Sequence, residues 1–250
     1  MKRVRAGFSL VELTVGLALL GVIGAALVGL VQSVQRLARA QGARVELAEA
    51  LRIAGTVLTG EVRVLEPGAD LGVLTVDSVV LRAFRGAGVV CGAVGEEALV
   101  RYRGLRDPEP DKDSVLVLGP EEAEQAVVLG ASAAVPTGCA AGEGEEVYRW
   151  RLGVKSPAGT PVLLYESGSY HLAAGAFRYR RGESGRQPLT TEVVEAESSG
   201  FRALAEGGGG EAPAVALEVR LAARAEGGRA GAEWPFRRDA RLRIAFLNRP

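Results

Sequence analysis

Glu12 is the residue with the clearest chemical signal. From Phe8 to Val31 it is the only ionisable side chain in an otherwise apolar or neutral run. At about 1.5 Å per residue, a helix over that run is roughly 36 Å long, enough to cross a bilayer with some tilt. An acid near the entry or centre of such a span is disfavoured by some ~2.5–3.5 kcal/mol on insertion scales, so it points to a task beyond anchoring. Lys2, Arg3 and Arg5 precede the run, followed by the small pair Ala6-Gly7. A secretory signal has a shorter apolar core with its small-residue cleavage site behind it. Here the small site comes first. A cut after Gly7 therefore keeps the span on the mature chain and makes Phe8 its first residue. The alternative is an uncleaved signal anchor in which Glu12 is incidental.

The segment Gly7-Phe8-Ser9-Leu10-Val11-Glu12-Leu13 resembles the class III leader of type IV pilins and of the pseudopilins of type II secretion. The resemblance covers the leader and the first helix. It implies cleavage between Gly7 and Phe8 by a prepilin peptidase and N-methylation of Phe8. It also implies that Glu12 pairs with the α-amino group of Phe8 on a neighbouring subunit. That pairing has a physical basis, because a carboxylate without a partner in its own chain is stabilised when a cationic amine sits beside it. The implied partners are other major and minor pilins or pseudopilins, the inner-membrane assembly platform and the inner membrane itself. The family's tip-capping subunit lacks the acid, so Glu12 argues against that role. Pilins often carry a proline within this helix, whereas this chain has Gly21, Gly24 and Gly29.

The elements that must position Glu12 follow from periodicity. No proline occurs before Pro67. Leu37, Ala40, Leu47, Leu51, Ala54 and Leu58 form one apolar stripe at helical spacing, with Arg39, Glu46, Glu49 and Arg52 on other faces. One helix is expected from about Phe8 to about Val62; the alternative is two helices broken at Gly42. Beyond Pro67, short alternating runs predict strands at Leu74–Val76, Ser78–Phe84, Leu99–Arg103, Val115–Leu118, Val147–Leu152, Val162–Tyr165, Ala176–Arg180, Val215–Leu221 and Leu242–Leu247. Glu121–Val127 is read as a short helix. The expected fold is α+β: a long N-terminal membrane-spanning helix packed on a C-terminal antiparallel β-rich globular domain. Its parts are a leader at 1–7, a transmembrane half-helix at 8–31, an amphipathic outer half at 32–66 and the globular domain at 67–250. The basic leader favours a cytoplasmic N-terminus and places the remainder outside the cytoplasm, in the periplasm or on the cell surface when assembled.

Composition excludes several functions. Formal net charge is zero, so no global field recruits nucleic acid or anionic lipid. One His and two Cys leave too few ligands or bases for a zinc site, a His-based triad or a Cys–His dyad. No cofactor or metal is expected and the chain is read as non-enzymatic. Cys91 and Cys139 lie in the extracytoplasmic part, where two cysteines pair more often than not; two separate thiols are the alternative. The loop Arg106–Asp113 is rich in carboxylates, but its prolines, Arg106 and Lys112 fit a solvated turn better than a calcium site. Arg178, Arg180 and Arg181, with Tyr179 among them, form a basic patch that could contact DNA; a second patch runs from Arg237 to Arg243. The alternative for both is the wet face of strands balanced by nearby carboxylates. His171 is read as structural.

Overall fold

The computed structural model describes residues 9–94, 96–119, 122–134, 139–205, 214–225 and 236–247. Helix α1 (Leu10–Val62) is continuous over 53 residues and passes Gly42 without a break. Its inner stripe is Ala43, Leu47, Ala50, Ala54, Leu58 and Val62, at three- and four-residue spacing. The stripe therefore begins later than the sequence pattern indicates. Leu37 is exposed, because the globular domain meets the helix only from Ala43 onward. A four-residue helix α2 (Pro67–Asp70) follows, with Pro67 at its N-terminal turn.

Thirteen strands are present among the described residues. They are β1 (Leu71–Leu74), β2 (Ser78–Val94), β3 (Glu97–Gly104), β4 (Ser114–Leu118), β5 (Ala123–Val127), β6 (Gly130–Ala133) and β7 (Glu146–Arg151). Then come β8 (Pro161–Ala173), β9 (Ala176–Arg181), β10 (Gln187–Pro188), β11 (Gly200–Ala205), β12 (Ala214–Ala225) and β13 (Phe236–Ala245). Ten form one sheet with the path β10-β9-β8-β2-β3-β7-β6, with β1 beside β2 and the β4–β5 hairpin attached to β8. The other three form a separate sheet in the order β11-β12-β13. All pairings are antiparallel. The α+β architecture is as expected.

The expected helix at Glu121–Val127 is instead strand β5, paired residue for residue with β4 from Ser114↔Val127 to Leu118↔Ala123. Seven residues are too few to support a helix without tertiary contacts, and the hairpin buries Ala126 against Val115 and Val117. The sequence reading also missed β6, β10 and β11, which are rich in Gly and Ala or very short and become strands through their neighbours, and its strand Leu74–Val76 shares only Leu74 with β1.

Two cores result. One lies between the outer half of α1, the first half of β2, the end of β8, β9 and the three-stranded sheet, centred on Leu58, Val79, Tyr170, Phe177 and Leu217. The other gathers Val90, Val100, Val115, Trp150 and Leu164 at the opposite ends of β2 and β8. The long strands β2 and β8 thus serve both cores. β2 carries two bulges, one between Phe84 and Gly86 and one between Val90 and Gly92. An extra residue in a strand re-aims its side chain. The extra residues are Arg85 and Cys91, and both make the contacts that hold the domain together.

Candidate functional site

The first candidate site is the start of α1. Gly7 and Phe8 lie outside the described residues, as do the basic residues before them. Ser9 is the N-cap, in extended conformation, and its Oγ accepts a hydrogen bond from Glu12 N at 3.2 Å. Glu12 Oε2 in turn accepts from Ser9 N at 3.3 Å. This reciprocal arrangement is a capping box. It corrects the expectation that Glu12 lacks a partner in its own chain. The signal, Ser-x-x-Glu at the head of an apolar run, was present in the sequence. The box uses one carboxylate oxygen and a neutral donor, so the negative charge stays uncompensated by any cation among the described residues. Beyond it Leu10, Leu13, Val15, Leu17 and Leu19 are each more than half exposed. Nothing in the globular domain covers this half of the helix, and α1 is long and apolar enough to cross a membrane.

The second feature anchors α1. Where β2 and β8 pass from one core to the other, Glu166 is buried with four donors around it. Arg85 Nε donates to Oε1 at 2.8 Å, and Tyr179 donates its hydroxyl to the same oxygen at 2.6 Å. Arg106 Nη2 donates to Oε2 at 2.8 Å, and Arg181 Nε lies 2.6 Å from Oε2 as an ion pair without hydrogen-bond alignment. Asp113, wholly buried, receives both terminal nitrogens of Arg106 at 2.7 and 2.6 Å, Arg181 Nη2 at 2.8 Å and Glu109 N at 2.8 Å. Arg85 also reaches Glu61 on α1 at 2.6 Å, which ties the helix to the sheet. Burial pushes the carboxyl groups of Asp113 and Glu166 up, but hydrogen bonds from Arg106 to the first, and from Tyr179 and Arg85 to the second, outweigh it. Both end below their ordinary values. The loop Arg106–Asp113 is therefore no solvated turn at its ends: Arg106 and Asp113 are inside the cluster.

The family described as "Prokaryotic N-terminal methylation motif" matches residues 2–28. The match covers the leader and the start of α1, and in that stretch the chain is similar to type IV pilin-like proteins. No curated protein matches the chain, and no solved structure does. A prepilin leader of this kind implies processing by prepilin peptidase and association with other pilins. The N-terminal apolar helix, the one such helix among the described residues, is consistent with anchoring in the inner membrane.

Cys91 and Cys139 are joined, with Cα atoms 5.5 Å apart, a usual separation for a bridge. The bond ties the far end of β2 to the loop before β7 across 48 residues, and a loop of that size typically contributes about 2–4 kcal/mol. The arginine patch on β9 is mostly engaged internally. Arg181 serves Asp113, Glu109 and Glu166. Arg178 donates to Ala173 O at 2.9 Å and lies 3.5 Å from Glu192, and Arg180 donates to Ser184 O at 3.0 Å.

His171 is buried on β8, with Nε2 2.8 Å from Ser169 Oγ. Burial, then the nearby Arg186 and Arg180, lower its pKa below 6.5, while Asp77 pulls the other way. The folded protein thus holds a neutral imidazole that the unfolded chain would protonate below about pH 6.5. Its contribution to stability is present above that pH and is lost as pH falls toward the folded value. Asp113 and Glu166 act in the same direction lower down. Their contribution is present above about pH 4.5 and is lost as they protonate. Thermal unfolding is expected to be level above pH 7, to fall in a first phase below about 6.5 and again below about 4.5. His171→Gln should remove the first phase alone, as followed by near-ultraviolet circular dichroism.

Proposed function

We propose that this protein is a non-enzymatic minor pilin or pseudopilin, held in the inner membrane with its N-terminus in the cytoplasm. Cleavage after Gly7 and methylation at Phe8 prepare it for incorporation into, or priming of, a type IV pilus or pseudopilus for secretion, motility or DNA uptake. Glu12 then pairs with the Phe8 amine of a neighbour, and Leu10, Leu13, Val15, Leu17 and Leu19 exchange lipid for neighbouring helices. The length of the chain and its helix-then-sheet layout favour the larger minor subunits, the J component of secretion pseudopili or the W-type pilin.

One observation carries this reading: a methylation motif at residues 2–28 runs directly into a helix whose apolar half is uncovered and bears a single acid. Intact-mass and N-terminal peptide analysis of the protein from native membranes tests it. The expected product begins with a methylated Phe8. Retention of Met1–Gly7 on the membrane-resident chain would overturn the reading. The alternative, a DNA- or substrate-binding module displayed on such a filament through Arg178, Arg180 and Arg181, has less support because those side chains already have partners within the fold.

A further inference from the structure

The three-stranded sheet has a second face, turned away from α1. Leu217, Val219, Leu221 and Ile244 point inward to the core, so the alternate residues of β12 and β13 point outward. Across that outer face the register sets Arg202, Glu218 and Arg243 in one row and Gly200, Arg220 and Arg241 in the next. Ala222 and Asp239 form a third row, and Arg224 and Arg237 a fourth. Arg202, Arg220, Arg241 and Arg243 are exposed.

Among the described residues none of these four lies within ion-pair distance of a carboxylate, whereas Glu195 reaches Arg224 at 3.6 Å and Arg237 at 3.3 Å. Arg220 stands directly opposite Arg241, and like charges directly opposite on neighbouring strands are destabilising. The chain as a whole is neutral, so this is a local excess that the fold keeps in the open. Between the arginines stand the small residues Gly200, partly buried, and Ala245, exposed, while Ala216 and Ala222 are buried.

We propose that this face docks an acidic protein surface, one that presents Glu or Asp side chains to Arg202, Arg220, Arg241 and Arg243. Guanidinium groups on a rigid sheet match carboxylates in a bidentate geometry, and arginine is enriched where proteins meet. A nucleic acid fits less well. Glu218 and Asp239 set negative charge inside the array, where a continuous phosphate backbone would be repelled. Among the described residues the outward side chains include no aromatic ring on which a base could stack. The docking contact is separate from helix assembly, because it uses the sheet face opposite α1, and it stands whether or not the chain enters a filament.

The test is photo-crosslinking in the native cell with the full-length chain carrying benzoylphenylalanine at Ala245, an exposed position on this face. The expected result is a cross-link to a Glu- or Asp-rich segment of one protein. Its yield should fall at least tenfold in Arg220→Glu/Arg241→Glu and return when the acids of the captured segment are changed to Lys. The double reversal keeps the like-charge pair and changes only its sign, so thermal unfolding should stay close to that of the parent. Four results would overturn the proposal: a cross-linked species removed by nuclease, a yield indifferent to the reversal, no recovery on the compensating change, or no cross-link at all.

Discussion

Glu12→Ala is expected to leave the protein cleaved and in the membrane but to lower its content in sheared filaments by more than tenfold. The span remains long enough and is more apolar without the acid, so insertion is not at risk. On the proposed assembly role, what is lost is the one charge in the span that would hold a neighbour's terminal amine in register. The capping box complicates a simple reading of that result, since alanine also removes the carboxylate that accepts from Ser9 N. Glu12→Gln separates the two roles. Glutamine serves in a capping box as glutamate does, but it carries no charge. If helix capping were the whole role of Glu12, Gln would restore incorporation. If the charge matters, Gln should fail nearly as fully as Ala. Quantitative immunoblots of the membrane and sheared fractions distinguish the outcomes, and normal incorporation of Glu12→Gln would refute the assembly role.

The parts of the molecule that were legible in the sequence are those set by local periodicity. The apolar run, its single acid and the proline-free stretch to Val62 determine α1, because each depends on residues within a turn or two of one another. The alternation of Val215–Leu221 and Leu242–Leu247 shows two strands of the C-terminal sheet for the same reason. The ion cluster was not legible, because it joins Glu61, Arg85, Arg106, Asp113, Glu166 and Arg181, which come from five separate segments. The bulge at Arg85 turns that side chain to Glu166, and the phase change it makes, from Val79, Leu81 and Ala83 to Val90, is hidden in the sequence because apolar residues stand side by side at Ala83-Phe84 and Val89-Val90. The loop Arg106–Asp113 reads as wet because its composition is polar, yet its two end residues are the ones that the fold encloses. Strand β5 was misread because its pairing with β4, rather than its own pattern, decides its conformation.

Glu166→Ala is expected to be the most damaging single change in the globular domain. Removing one partner of a buried ion pair typically costs about 3–5 kcal/mol, because the remaining charge stays buried without compensation. Here three guanidinium groups lose a shared acceptor. Asp113 still holds Arg106 and Arg181, but Arg85 keeps the partly exposed Glu61 as its one carboxylate, beside Phe84 O and Tyr179, whose hydroxyl also loses its acceptor. Set against a typical domain stability of about 5–15 kcal/mol, that loss should lower the unfolding midpoint by roughly 10 °C for a domain of this size. Glu61→Gln gives the contrast. It removes the charge from the tie to α1, although the amide oxygen can still accept from Arg85, and leaves Arg85 with Glu166 and Tyr179, so the loss should be about 1 kcal/mol. Thermal unfolding of the full chain in detergent measures both. Equal effects of the two changes would mean that the helix contact, rather than the acceptor shared by Arg85, Arg106 and Arg181, holds the two cores together.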